Sequence, residues 1–287
     1  AVARFLSNEY HNINQIKTFF IACAIILLPF ALILRQPDLG TALVFAVITL
    51  PLFYWAGLAP RNLLLILVPV CVMIASFNYY TFFAVMILLA VYLVLIKPSV
   101  LTGLFHFVLN IGVGLITPIL WNHLEDYQRE RIKIFLNPEA DPLGGGYQII
   151  QSKVAIGSGG LIGKGFLQGS QTQLRFLPEQ HTDFIYAVIG EEFGFMGVII
   201  GLILFALFLF RAVHIANISK SRFNSLVAIG TATIICFHMF VNIGMTVGLF
   251  PVTGLPLPFI SYGGSALLSN LIMVGLLLNF YRHRYKY

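Results

Sequence analysis

Charge is what this sequence has least of. Only 10% of its 287 residues are Asp, Glu, Lys or Arg, and mean hydropathy is +0.90. Soluble domains carry about 25% charged residues, so a water-soluble globular protein is excluded and an integral membrane protein is expected. Cysteine is scarce as well. Cys23, Cys71 and Cys236 fall inside apolar runs without metal-ligand spacing, which argues against a disulfide framework and reads them as small core residues. The chain begins Ala-Val-Ala, with neither an initiator Met nor a signal-peptide pattern, and is expected to have been cut from a longer chain. The formal net charge of +6 is spread over short loops with no clustered basic face, so nucleic acid is not an expected partner.

What is present is a series of apolar runs. They lie at about 18–34, 40–57, 62–77, 79–96 and 101–121, then at about 183–210, 223–247 and 264–281. Each approaches the roughly 17 to 25 residues needed to cross a bilayer, which predicts an all-α polytopic membrane protein, a helical bundle of about eight spans forming one transmembrane domain over 1–287. With Lys17 cytoplasmic, that side also holds Arg61, Lys97, Arg211, Lys220, Arg222, Arg282, Arg284 and Lys286, whereas the short loops opposite hold Arg35. Lys and Arg favour cytoplasmic loops, so the long connection at about 122–182 is expected outside.

That connection carries Glu125, Asp126, Glu130, Glu139, Asp141 and Glu179, with Asp183 just beyond. A structureless loop of such length is uncommon unless functional or disordered. Its regularly spaced Ile149, Ile150, Val154, Ile156, Leu161 and Ile162 predict short interfacial helices, with YQIIQSKVAIG the most helical piece.

Four stretches carry chemistry or its structural alternative. In FLPEQHTDFIYAVIGEE, from Phe176 to Glu192, a carboxylate stands where a polar loop meets an apolar run; Thr182 and Asp183 serve equally as helix N-terminal residues. Glu191 and Glu192, two turns further on, are expected to face a bundle interior, as a buried hydrogen-bonded group or a proton relay. GSGGLIGKGFLQGS is not a nucleotide P-loop, because the glycine spacing and the residue after Lys164 are wrong; a packed turn and a backbone nest for pyrophosphate both remain. In QPDLG, Pro37 stops a helix and Asp38 caps the next or faces a polar cavity. GLFPVTGLPLPFISYGGS, about 248–263, is too broken by Pro and Gly to face lipid and is expected as an irregular or re-entrant segment walling the outer site. The loop cations Arg129, Arg131, Lys133, Lys153, Lys164 and Arg175 either contact solvent and head groups or hold an anionic diphosphate.

NIGMTVGLFPVTGLPLPFISYGGSA, from Asn242 to Ala266, closely resembles the signature of the SEDS family (shape, elongation, division and sporulation). YQRERI, NPEADPLGGGYQIIQSKVAIGSGGLIGKG, FLPEQHTDFIYAVIGEE and QPDLGTAL resemble its RodA branch. The three apolar runs between 62 and 121 depart from the family pattern, which has one there.

The resemblance implies a peptidoglycan glycosyltransferase that polymerises lipid II, the undecaprenyl-diphosphate-linked disaccharide-pentapeptide, on the outer face of the bacterial cytoplasmic membrane during elongation. It implies an essential carboxylate at Asp183, the general base of an inverting transfer. Substrate-binding roles are assigned to Arg131, Lys153, Gln151, Glu179, His181, Asp38 and Ser261. It also implies a class B penicillin-binding protein (a transpeptidase) and the elongation machinery as partners. No cofactor is assigned: a divalent cation is an option for neutralising the diphosphate, but no residue cluster has metal-ligand spacing. The alternative from another class is a lipid II flippase, with Glu191 or Glu192 as coupling residues; a scaffold that only recruits wall enzymes is a third.

Overall fold

The computed structural model describes residues 1–36, 38–174 and 176–285, and only the backbone of Tyr127. Pro37, Arg175 and Lys286, singled out above, lie outside the described residues. Among the described residues the chain is helical throughout, without strands: α1 (Val2–Leu6), α2 (Ile16–Leu34), α3 (Leu39–Trp55), α4 (Pro60–Ala75), α5 (Tyr79–Ile96), α6 (Val100–His123), α7 (Asp126–Leu136), α8 (Tyr147–Gly159), α9 (Ser170–Gln173), α10 (Ile185–Ile218), α11 (Arg222–Thr246) and α12 (Gly264–Arg282). Six of these, α2, α5, α6, α10, α11 and α12, are long and apolar enough to cross a membrane, and α3 and α4 are shorter apolar helices. These are the eight runs expected, with ends shifted by a few residues except at α10.

The helices start where the sequence supplies a cap or a proline. Asp38 accepts hydrogen bonds from Thr41 N at 3.0 Å and Thr41 Oγ1 at 2.6 Å. Asn78 caps α5 through Tyr80 N, Ser99 caps α6 through Thr102 N, and Pro60 opens α4.

The chain forms two compact units. Residues 57–130 make one, in which α4, α5 and α6 pack around Leu65, Val72, Met86 and Leu89. Residues 1–56 and 131–287 make the other. Within it α11 is the central helix: 56% of its most apolar stretch is buried, against 11–17% in the other spans. Small residues allow this, since Ala228, Gly230, Ala232 and Gly244 let neighbours approach. At the foot of the unit, Trp55 Nε1 donates to Ser225 Oγ at 2.7 Å, which donates to the Ala216 carbonyl at 2.6 Å, and Arg222 bonds the Ala56 carbonyl at 2.9 Å.

The most helical piece expected of the loop is α8, whose Ile149, Ser152, Ala155 and Gly159 are buried as it packs on α10 and α11. The buried Ser152 donates to the Thr246 carbonyl at 2.8 Å.

α10 differs most from expectation. A continuous helix of its 34 residues would be about 51 Å long, well beyond the roughly 30 Å hydrocarbon core. It is broken at Gly194, with φ 62° and ψ −163°. Residues 195–218 alone reach about 36 Å, long enough to cross without residues 185–193. Glu191 and Glu192 precede the break, and both are buried, in line with side chains that face the interior of the packed helices.

The chain segment after α8 docks into that break. Lys164 N and Gly165 N donate to the Glu191 and Glu192 carbonyls, each at 3.0 Å. In return Phe195 N and Met196 N donate to the Gly160 and Leu161 carbonyls at 2.9 and 3.1 Å. The groups freed by the break are thus satisfied by backbone. A Cβ at Gly194 would collide with Gly163 N, and one at Gly163 with the Glu192 carbonyl. Of the two readings of GSGGLIGKG, the packed turn is therefore the one observed; the N–H groups of Lys164 and Gly165 are committed to the helix break.

Replacing Gly194 by Ala will force a side chain into a backbone region nearly closed to it, costing about 1–3 kcal/mol before the clash is counted. Gly201→Ala, on the same helix with open space around it, will be neutral. Thermal unfolding of the purified variants in detergent will show a lowered midpoint for the first alone.

Candidate active site

Asp183 stands one residue before the α10 N-cap Phe184, at the end of a tight turn. The turn is organised by the Glu179 carbonyl, which accepts from Thr182 N, Asp183 N and Phe184 N at 3.2, 3.1 and 3.2 Å. Glu179 adopts φ 52°, an uncommon left-handed conformation for a side-chain-bearing residue. Its carboxylate receives the Thr182 hydroxyl at 3.1 Å.

The irregular segment between α11 and α12 holds this turn from the other side. Asn242 is fully buried and donates through Nδ2 to both the Asp183 carbonyl at 3.0 Å and the Leu255 carbonyl at 2.8 Å. Ser261 Oγ donates to the Thr182 carbonyl at 2.6 Å and accepts from Leu257 N at 2.8 Å. Tyr262 N donates to the His181 carbonyl at 2.8 Å. Three consecutive carbonyls, of residues 181, 182 and 183, are thereby pinned, which leaves the Asp183 side chain to do something other than hold the fold. Its Oδ2 faces Gly254, where an added Cβ would sit 3.8 Å away.

Burial pushes the Asp183 carboxyl above its ordinary range, and the nearby charge of Glu179 pushes it the same way; a hydrogen bond from Thr182 and the charge of Arg131 oppose them. Arg131 is exposed on α7. Lys153 projects from α8 over the backbone of Gly248, whose φ is 78°; an added Cβ there would lie 2.5 Å from Lys153 Cε.

The expected site residues are thus distributed unevenly. Asp183, Glu179, His181 and Ser261 share one turn and its brace. Arg131 is close enough to act electrostatically on Asp183. Gln151 is half-buried on α8 beside Ser152. Asp38 is occupied as the cap of α3, the first of its two readings; its neighbour Gly40 brings that helix against the Thr253 carbonyl, where a Cβ would come within 2.6 Å. Among the described residues no three His, Cys, Asp or Glu side chains gather at metal-ligating distance.

Two elements were missed. Asn242 is the brace of the turn, and its signal was an amide within an apolar span, a placement that is costly unless used. The second is the environment of Glu191. Its carboxylate is fully buried and accepts from Lys164 Nζ at 2.8 Å, Gln171 N at 2.9 Å, Thr172 N at 3.1 Å and Ser170 Oγ at 3.4 Å. It caps α9 from a distance, and nothing local in the sequence points to a partner 27 positions away.

Comparison with known proteins places these features in a lineage. The profile of the FtsW/RodA/SpoVE family, described as cell cycle protein, matches residues 1–84 and 61–286. The chain is 40% identical over 284 residues to the peptidoglycan glycosyltransferase MrdB of Escherichia coli K12, covering 99% of this chain and 65% of MrdB. It is 38% identical over 294 residues to the peptidoglycan glycosyltransferase RodA of Treponema pallidum, covering 92% of this chain and 68% of that protein. Among solved structures, one described as structural coordination of polymerization and crosslinking by a peptidoglycan synthase complex matches with TM-score 0.70 and 30% identity, over 100% of this chain and 68% of that one. The chain therefore spans about two thirds of the length of these relatives.

The raised Asp183 carboxyl has a consequence for stability. When a folded-state acid pKa lies above its unfolded value, the folded state holds the proton more tightly, and stability falls as pH rises through that window. Asp183→Asn, which never ionises, will therefore be more thermostable than wild type at pH 7.5. The difference will shrink as pH is lowered toward the ordinary carboxylate value, read by thermal scans across pH.

Proposed function

The chain belongs to the FtsW/RodA/SpoVE family of cell cycle proteins, and from that premise we propose that it polymerises lipid II into glycan strands on the outer face of the bacterial cytoplasmic membrane. The observation that carries the proposal is a carboxylate whose backbone is clamped on both sides while its side chain is left to titrate. Its relatives are named peptidoglycan glycosyltransferases, which supports a glycan-building reaction; the distribution of Lys and Arg supports the loop side facing outward.

The reaction is an inverting glycosyl transfer. The GlcNAc 4-hydroxyl of one lipid II attacks C1 of the MurNAc that ends the growing chain, and undecaprenyl diphosphate leaves from the opposite face. A neutral hydroxyl is a poor nucleophile, and a positioned base contributes about 10² to 10⁴ in rate. Asp183 takes that proton. Its upward shift suits the role, since a base nearer the working pH accepts a proton more readily.

The leaving diphosphate needs positive charge, which Arg131 and Lys153 supply by electrostatic stabilisation. Lys153 is held over Gly248, and the absence of a side chain there is what gives it room. Glu179, His181, Gln151, Asp38 and Ser261 are assigned to hold substrate or the turn beneath it. A class B penicillin-binding protein, a transpeptidase that cross-links the new strand, is the proposed partner, within the elongation machinery. The matched synthase complex, which joins polymerization to crosslinking, supports that pairing.

Gel-resolved polymerisation of labelled lipid II by the full-length protein with its transpeptidase tests this. Wild type and the exposed-loop control Glu125→Gln will make polymer; Asp183→Asn will bind lipid II and lose at least 100-fold in rate. No polymer from an intact, lipid-II-binding wild-type complex would move the assignment to a transporter. Equal polymer from all three would keep the enzyme and remove Asp183 as its base.

A further inference from the structure

A groove of about 470 Å³ opens beside the turn that carries Asp183. It runs from His181 along the loop-side part of α10 to Glu192, some seven residues or about 10 Å of helix beyond Ile185. Its walls combine Thr172 and Gln173 of α9 with the rings of Phe166 and Phe193, whose centroids lie 6.2 Å apart at 36°.

Glu192 is the unexplained member. Its side chain lines the groove, the residue is only 5% exposed, and among the described residues its carboxylate makes no hydrogen bond or ion pair. The adjacent Glu191 is saturated by four donors. The oxygens of Glu192 open onto the groove and are not buried unpartnered atoms. An ionised carboxylate accepts hydrogen bonds and donates none, so an occupant that displaces water from it without supplying a donor incurs a desolvation cost. The groove therefore asks for hydroxyl or amide N–H donors at that end.

An anion is the wrong occupant, since Glu192 repels it. A bare hydrocarbon chain is wrong as well, because it brings no donor. An occupant with hydroxyls on its edges and apolar C–H faces fits both parts: donors for Glu192, Gln173 and Thr172, faces for Phe166 and Phe193. The volume lies within the ordinary range for small-ligand sites, about 300–1,000 Å³.

We propose that this groove is a saccharide subsite, in which Glu192 and the two phenyl rings hold the amino-sugar head group of the lipid-linked substrate beside Asp183. The assignment rests on the glycan-polymerase reading for the identity of the sugar, but not for the existence of the site. It leaves the diphosphate to Arg131 and Lys153.

The test is direct binding, so that it does not depend on turnover. Full-length protein carrying Asp183→Asn, which stops consumption of the ligand, is titrated with lipid II and separately with undecaprenyl diphosphate, which lacks the sugars. Adding Glu192→Gln or Gln173→Ala will weaken lipid II binding at least 10-fold and leave undecaprenyl diphosphate binding within two-fold. Gln173 is exposed on the rim, so its variant folds normally and guards against a Glu192 variant that does not. With Asp183 intact, the same substitutions will raise the KM for lipid II by a similar factor while kcat stays within three-fold.

Equal weakening of both ligands would make the groove a prenyl-chain site and overturn the proposal. So would unchanged lipid II binding in both variants. Should wild type bind lipid II through Glu192 yet make no polymer, the saccharide subsite stands and the glycosyltransferase reading falls.

Discussion

The structure depends on the interlock between residues 160–165 and the break in α10 at Gly194. A helix interrupted in a membrane protein leaves N–H and C=O groups that lipid cannot satisfy, and here four backbone hydrogen bonds from the preceding loop satisfy them. The loop gains a fixed position in return, and with it α8 on one side and α9 on the other. The ion pair between half-buried Lys164 and fully buried Glu191 closes the joint with side chains. A buried ion pair is weak evidence for stability by itself, but removing one partner leaves an uncompensated charge. Register is thus enforced by the cost of misalignment, more than by the strength of the correct alignment.

Above this joint the site is assembled from carbonyl groups before it is assembled from side chains. Asn242, Ser261 and the Tyr262 amide hold residues 181–183 in place, and the left-handed Glu179 turns the chain into α10. Asp183 can then bear an elevated proton affinity without the turn collapsing onto it.

Much of this was legible in the sequence, and the limits of legibility are physical. The spans were readable because hydrocarbon tolerates few alternatives to long apolar helices: the run at 79–96 is α5 to the residue. The irregular backbone of 248–263 was readable because Pro251, Pro256 and Pro258 deny it a helix. Asp183 stood out by position. The break at Gly194 did not, since the sequence has 25 glycines and nothing local marks the one whose neighbour arrives from 30 residues upstream. The centrality of α11 was hidden for a similar reason: every span is apolar, and only packing decides which of them loses contact with lipid. Glu191 and Glu192 looked alike in sequence, yet one is fully coordinated and the other faces a groove.

The enclosure of α11 has a bearing on the bilayer itself. Peripheral helices adjust to membrane thickness by tilting, at a cost of fractions of a kcal/mol per Å of mismatch. The 24 residues of α10 below Gly194 are slightly longer than a typical hydrocarbon core and will lean as the lipid thins or thickens. Its upper end cannot drift with it, because Asn242 of α11 grips the carbonyl of Asp183. The central helix acts as a depth gauge, keeping the Asp183 carboxylate at one level relative to the protein while acyl-chain length varies around it.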